Sequence, residues 1–139
     1  MVREKIKTAL DVKGWSQHAI SEKIGIACPN LNAFLNGARP LPYPKLIRLL
    51  DELALTIGPK KQGQSIIPPS ELPEIFRTSI ENSGLMIKEV AEQTGIDLAC
   101  LSTFLNGSRT TPIRNLEKLM FALDLDVVSL IRPRKAQPA

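Results

Sequence analysis

The side chains able to do chemistry in this chain are amides and cations, not nucleophiles or metal ligands. His18 is the one histidine, no nucleophile stands beside a base, no carboxylates cluster at metal spacing and no glycine-rich phosphate loop occurs, so nothing here carries catalysis. Cys28 and Cys100, with that single histidine, cannot complete a four-ligand zinc site and are read as reduced thiols. No metal and no cofactor is expected. What remains is a vocabulary for recognising a polar, acidic surface. Asn30 and Asn32 carry paired amide donors and acceptors, and Arg39 and Lys45 carry positive charge.

Positioning such groups requires rigid elements, and an internal repeat reveals them. Sliding the 139-residue sequence against itself by 70 positions, without gaps, superposes Phe34-Leu35-Asn36-Gly37 on Phe104-Leu105-Asn106-Gly107. Glu4, Thr8, Gly14, Glu22, Gly25, Ile26, Leu31, Arg39, Pro42, Leu46, Leu49, Leu53 and Leu55 also meet identical residues at that offset. Chance does not produce an ungapped match of this length. The expected organisation is a first copy at 1–57, a linker at 58–70 rich in Gly, Pro and polar residues, a second copy at 71–131 and a basic tail at 132–139. Unless the copies dock, such a linker lets them move relative to each other.

Each copy reads as four short helices. Ile6 and Leu10 place a helix before Gly14, and Ser16 is a good N-cap for a second helix reaching Ile24. Gly25 supplies the positive φ that ends it, and a third helix spans about 28 to 36 with Leu31, Phe34 and Leu35 inward. Pro29 fits its first turn. Leu46, Leu49, Leu50 and Leu53 form the last core wall. In the second copy Ile80, Val90, Ile96, Leu101, Phe104, Leu105, Leu116, Leu119 and Leu123 play these parts, with Asp97 as a cap. Aromatics are only 4% of the chain, so the cores rest on aliphatic residues, which favours helices over a sandwich. With no useful β alternation, the expected fold is all-α.

Ser16-Gln17, Gly25-Ile26, Leu31 and Phe34-Leu35-Asn36-Gly37 resemble the lambda-repressor-like (Cro/C1, XRE) helix-turn-helix domains, over nearly all of both copies. The resemblance implies two tandem domains of four to five short helices and a transcriptional regulator, a repressor before an activator, that reads double-stranded DNA in the major groove. It implies that Gln17, after Ser16, braces the second helix against a phosphate, with Asn36 doing likewise after the third. Ala27, Cys28, Pro29, Asn30 and Asn32 would then face base edges, and Arg39 and Lys45 the backbone. The second copy departs from this pattern. Met86 and Ile87 replace Ser16 and Gln17, and its reading positions become Leu98, Ala99, Cys100 and Ser102. Lys88, Asn106, Arg109 and Arg114 remain on or near the expected DNA side.

Charge follows the same division. The net +4 and pI near 9.3 suggest an acidic partner. Residues 1–57 hold eight Lys/Arg against five Asp/Glu, whereas 71–131 hold five against nine, and Lys60, Lys61, Arg132, Arg134 and Lys135 supply the rest of the positive charge. The first copy is therefore the expected main reader. The active unit is a homodimer or an intramolecular pseudo-dimer. A second function class keeps the fold but uses the second copy as an adaptor or antitoxin-like surface for a protein partner, since Leu98, Ala99 and Met86 suit protein contacts. With no apolar run of bilayer length and no N-terminal apolar block, no membrane association and a cytoplasmic location are expected.

Overall fold

Helix formation follows the apolar spacing within each copy. In the computed structural model, which describes residues 2–131, α1 (Val2–Lys13) buries Val2, Ile6 and Leu10 on one face and stops at Gly14. Helices α2 (Gln17–Ile24), α3 (Cys28–Leu35) and α4 (Tyr43–Glu52) follow. The second copy repeats them as α5 (Leu72–Ser83), α6 (Ile87–Thr94), α7 (Leu98–Leu105) and α8 (Ile113–Ala122), all four starting at the same 70-residue offset. The basic tail at 132–139 lies outside the described residues.

The chain is mostly helical, but it is not all-α. Three strands, β1 (Leu55–Pro59), β2 (Gln64–Ser65) and β3 (Leu125–Leu130), form one sheet in the order β1-β3-β2. Sequence periodicity missed them for two reasons. Each of β1 and β3 continues directly from a leucine-rich helix, and the residues that turn the chain between them, Ala54 and Asp124, adopt positive φ of 54° and 57° without being glycine. The hydrogen-bond partners of β1 and β3 also lie about seventy residues away, so no hairpin turn announces the pairing.

The register of that pairing relates the copies. β1 and β3 run antiparallel with Leu55 opposite Ser129, Ile57 opposite Val127 and Pro59 opposite Leu125. At an offset of 70, Val127 is the repeat partner of Ile57, and Ser129 that of Pro59. Equivalent strands therefore pair about a pseudo-two-fold axis that passes between Ile57 and Val127, the self-complementary arrangement of a symmetric dimer. Helix contacts obey the same axis: α1 touches β3 and α5 touches β1.

The segment expected to be a linker is built into this seam. Gly58 and Pro59 finish β1, Gln64 and Ser65 pair in parallel with β3, and Pro69–Glu71 form a 3-10 turn leading into α5. Thr56, fully buried, donates its hydroxyl to the Ile67 carbonyl at 2.7 Å, which ties the connection down. One hydrophobic cluster runs through both copies. Across it, Tyr43 of the first copy meets Phe104 of the second edge-on at 6.0 Å, and Phe104 in turn packs against Phe76 at 5.9 Å. Polar links cross as well: the Val2 amide donates to Glu117 Oε2 at 3.0 Å, and Lys5 lies 3.7 Å from Asp126. The copies are docked, because two units this small bury too little apolar surface separately and gain it at the seam. Among the described residues no helix is long and apolar enough to cross a membrane.

Candidate nucleic-acid interface

Two short helices and a fixed turn position the first copy's polar residues. Ser16, in extended conformation, accepts the Ala19 amide on its hydroxyl at 3.1 Å, and so starts α2 with Gln17 exposed at its first position. The other end is closed by Gly25 at φ 74°, whose amide donates to Ser21 and Glu22 carbonyls while Ile26 donates to Ser21 at 3.0 Å. Those hydrogen bonds set the angle at which the chain leaves α2. Helix α3 begins two residues later with Pro29 in its first turn, where a missing amide costs nothing.

The two faces of α3 differ sharply. Leu31, Phe34 and Leu35 are buried, whereas Pro29, Asn30 and Asn32 are exposed and Cys28 is half-buried. Asn36 Nδ2 donates to Asn32 Oδ1 at 2.7 Å, so the two amides hold each other one turn apart. This leaves the Asn32 amide donors and the Asn36 carbonyl to an outside partner. Asn30, Arg39 and Lys45 line one shallow hollow of about 250 Å³, floored by Ile26, Leu41 and the neighbouring prolines. Within it the Lys45 ammonium donates to the Ile24 carbonyl at 3.2 Å, neutralising the negative end of α2 as well as adding charge to the surface.

Arg3 belongs to the same surface and was missed in the sequence. Its Nε donates to the Phe34 carbonyl at 2.8 Å, its guanidinium lies 5.8 Å from the Phe34 ring centre, and it sits against Gly37. It thus closes α3's C-terminal end beside Asn36. Only its distance in sequence hid it, since α1 and α3 meet solely through tertiary packing. Two further cations, Lys13 and Lys23, lie 5.2 and 4.8 Å from the centre of the Trp15 ring, immediately before the Ser16 cap. His18 is exposed, with Nε2 3.0 Å from Glu22 Oε1 on the next turn.

The second copy keeps the frame and changes the chemistry. Met86 has no oxygen to cap α6, but Glu89 Oε1 accepts the Met86 amide at 3.1 Å, half of a capping box. Asp97 caps α7 by accepting the Cys100 amide at 3.3 Å, as its sequence position suggested. On the surface that corresponds to the amide face of α3, Met86 is 68% and Leu98 45% exposed, with Ala99 and Cys100 beside them. Ser102 is half-buried, and Lys88, Asn106 and Arg109 are exposed. Cys28 and Cys100 are both free thiols.

Neither family models nor curated proteins nor solved structures supply a match to this chain.

Proposed function

We propose that the chain is a sequence-specific double-stranded DNA-binding transcriptional regulator, read as a repressor, whose two copies are tandem helix-turn-helix domains joined as an intramolecular pseudo-dimer. The observation that carries this reading is the face of α3: Asn30 and Asn32 exposed on a helix whose opposite face, Leu31, Phe34 and Leu35, is wholly buried. A rigid rod presenting amides, with Arg39 and Lys45 gathered beside Asn30, has the parts of a groove reader: base-edge donors and acceptors flanked by phosphate-neutralising cations. The pseudo-two-fold pairing of β1 with β3 supports a single chain supplying both half-site readers in inverted orientation. Because Leu98, Ala99 and Cys100 stand where the first copy has Cys28, Pro29 and Asn30, the two half-sites differ in sequence.

Selection of bound sites from a random duplex pool tests this. Two unlike halves in inverted arrangement are expected, with affinity that falls steeply as salt is added because counterions leave the neutralised phosphates. Asn32→Ala shifts preference by about 1–3 kcal/mol at one base pair, whereas Gln17→Ala weakens all sequences alike. Failure to retain any duplex at low ionic strength, or identical specificity profiles for the two variants, defeats the reading.

One observation favours a second role for the other copy. Met86 and Leu98 form exposed apolar surface at the place of the first copy's polar face, the chemistry of a protein contact. Replacing both with aspartate abolishes partner capture and spares DNA binding by the first copy; equal loss of both activities contradicts that division.

A further inference from the structure

The pseudo-two-fold axis creates two clefts, each between the first helix of one copy and the strand seam. The cleft against α5 encloses about 380 Å³ and is lined by Ile57 and Ile75 with uncharged Gln62, Gln64, Ser79 and Asn82. The cleft against α1 is larger, about 540 Å³, and its chemistry is different. Val12, Leu55 and Val128 line it with apolar surface, and Lys5, Lys13 and Lys60 lie along it, the Lys13 ammonium resting 5.2 Å from the centre of the Trp15 ring. The one carboxylate among its lining residues is Asp126, 3.7 Å from Lys5, so the lining carries a formal excess of two positive charges. Val12 is 81% exposed and, with Leu55 and Val128, gives this cleft an apolar side open to solvent. The repeat partners of Lys5, Val12 and Lys13 are Ile75, Asn82 and Ser83, so the combination of apolar surface and cationic groups exists on one side only.

We infer that the α1 cleft binds a small amphipathic anion, a carboxylate carrying an apolar chain. The volume lies within the range of small-molecule sites, about 300–1,000 Å³. An apolar body covers Val12, Leu55 and Val128, while the carboxylate is drawn to the lysines. A nucleic-acid backbone satisfies the lysines but leaves the apolar surface wet, so it fits the cleft less well. Because α1 belongs to the first copy and β3 to the second, an occupant contacts both and stabilises their docked arrangement. The site is separate from the amide face of α3, and the inference does not rest on DNA binding.

Titration calorimetry of the full chain with dodecanoate, kept below its micelle concentration, tests the assignment. One saturable site is expected, at least tenfold tighter than for butanoate, which lacks the apolar body, or for dodecyltrimethylammonium, which has the opposite head charge; melting temperature rises with dodecanoate. Val12→Asp and the double variant Lys5→Gln/Lys60→Gln each weaken dodecanoate binding at least fivefold, with circular dichroism confirming that they fold. Asn82→Ala, in the uncharged cleft, leaves it unchanged. Absence of saturable binding, equal affinity for the cationic amphiphile or for inorganic phosphate, indifference to both α1-cleft variants, or loss through Asn82→Ala would each overturn the assignment.

Discussion

Gly58→Val probes the seam on which the pseudo-dimer depends. Gly58 lies in β1 and its repeat partner is Val128 in β3, so the variant restores the residue type already present on the other side of the axis. The space does not allow both. A Cβ added at Gly58 lies 3.1 Å from Ser65 Cβ and 3.1 Å from Val128 Cγ2, closer than nine in ten real contacts of this kind, before any γ carbons are counted. Neither neighbour can swing away. Ser65 is held in β2, where its hydroxyl accepts the Ile67 amide at 3.2 Å, and Val128 pairs with Thr56 in the sheet. Overpacking of this kind costs about 1–3 kcal/mol. For a chain of this size each kcal/mol moves the melting temperature by about 3–5 °C, so a drop of about 3–15 °C is expected in a thermal unfolding experiment followed by circular dichroism. Val128→Ala in the same background removes one of the two clashes. The double variant is therefore less destabilised than the sum of the single variants, by at least about 0.5 kcal/mol. A Gly58→Val protein that melts with the parent, or strictly additive single and double variants, would refute the packing of β1, β2 and β3 described above.

Three shorter predictions accompany it. Burial pushes the Tyr43 phenol up to about 12, and as the only tyrosine its ionisation is read directly by absorbance near 295 nm. The unfolded chain gives up this proton near pH 10 while the folded chain holds it, so stability falls as pH rises from about 10 to about 12; a native midpoint near 10 contradicts the cross-seam packing of Tyr43 on Phe104. Met86→Ser completes a capping box with Glu89 and raises stability by about 0.5–1 kcal/mol in urea unfolding, whereas Ser16→Ala lowers it by about 1 kcal/mol; effects of the opposite sign would undo the assignment of the α2 and α6 starts. Arg3→Ala exposes the Phe34 carbonyl at the end of α3 and, on the DNA-binding reading, weakens duplex binding irrespective of sequence; an altered base preference instead would assign Arg3 a different role.

Much of the helical frame was legible because its causes are local. Ser16, Gly25 and Asp97 act through bonds to residues within five positions, Pro29 through its own ring in the first turn of α3, and the inward faces of α1 to α4 follow from apolar residues three or four apart. The amide-bearing face of α3 could be named for the same reason, since the residues it buries, Leu31, Phe34 and Leu35, determine which ones are left outside. The pairing of Asn32 with Asn36 was within reach too, being one helical turn.

What the amino-acid order determined by itself was thus the helices, the duplication and the surface residues of each copy. Tertiary structure alone decided how the copies meet. The sheet needs Leu55–Pro59 to find Leu125–Leu130 across the length of the chain, and the cue for it was concealed by two positive-φ residues that are not glycine and by a proline-rich segment that looks like a tether. Arg3 beside Gly37 and Lys5 beside Asp126 likewise exist only after folding, because no local periodicity records contacts between elements distant in sequence.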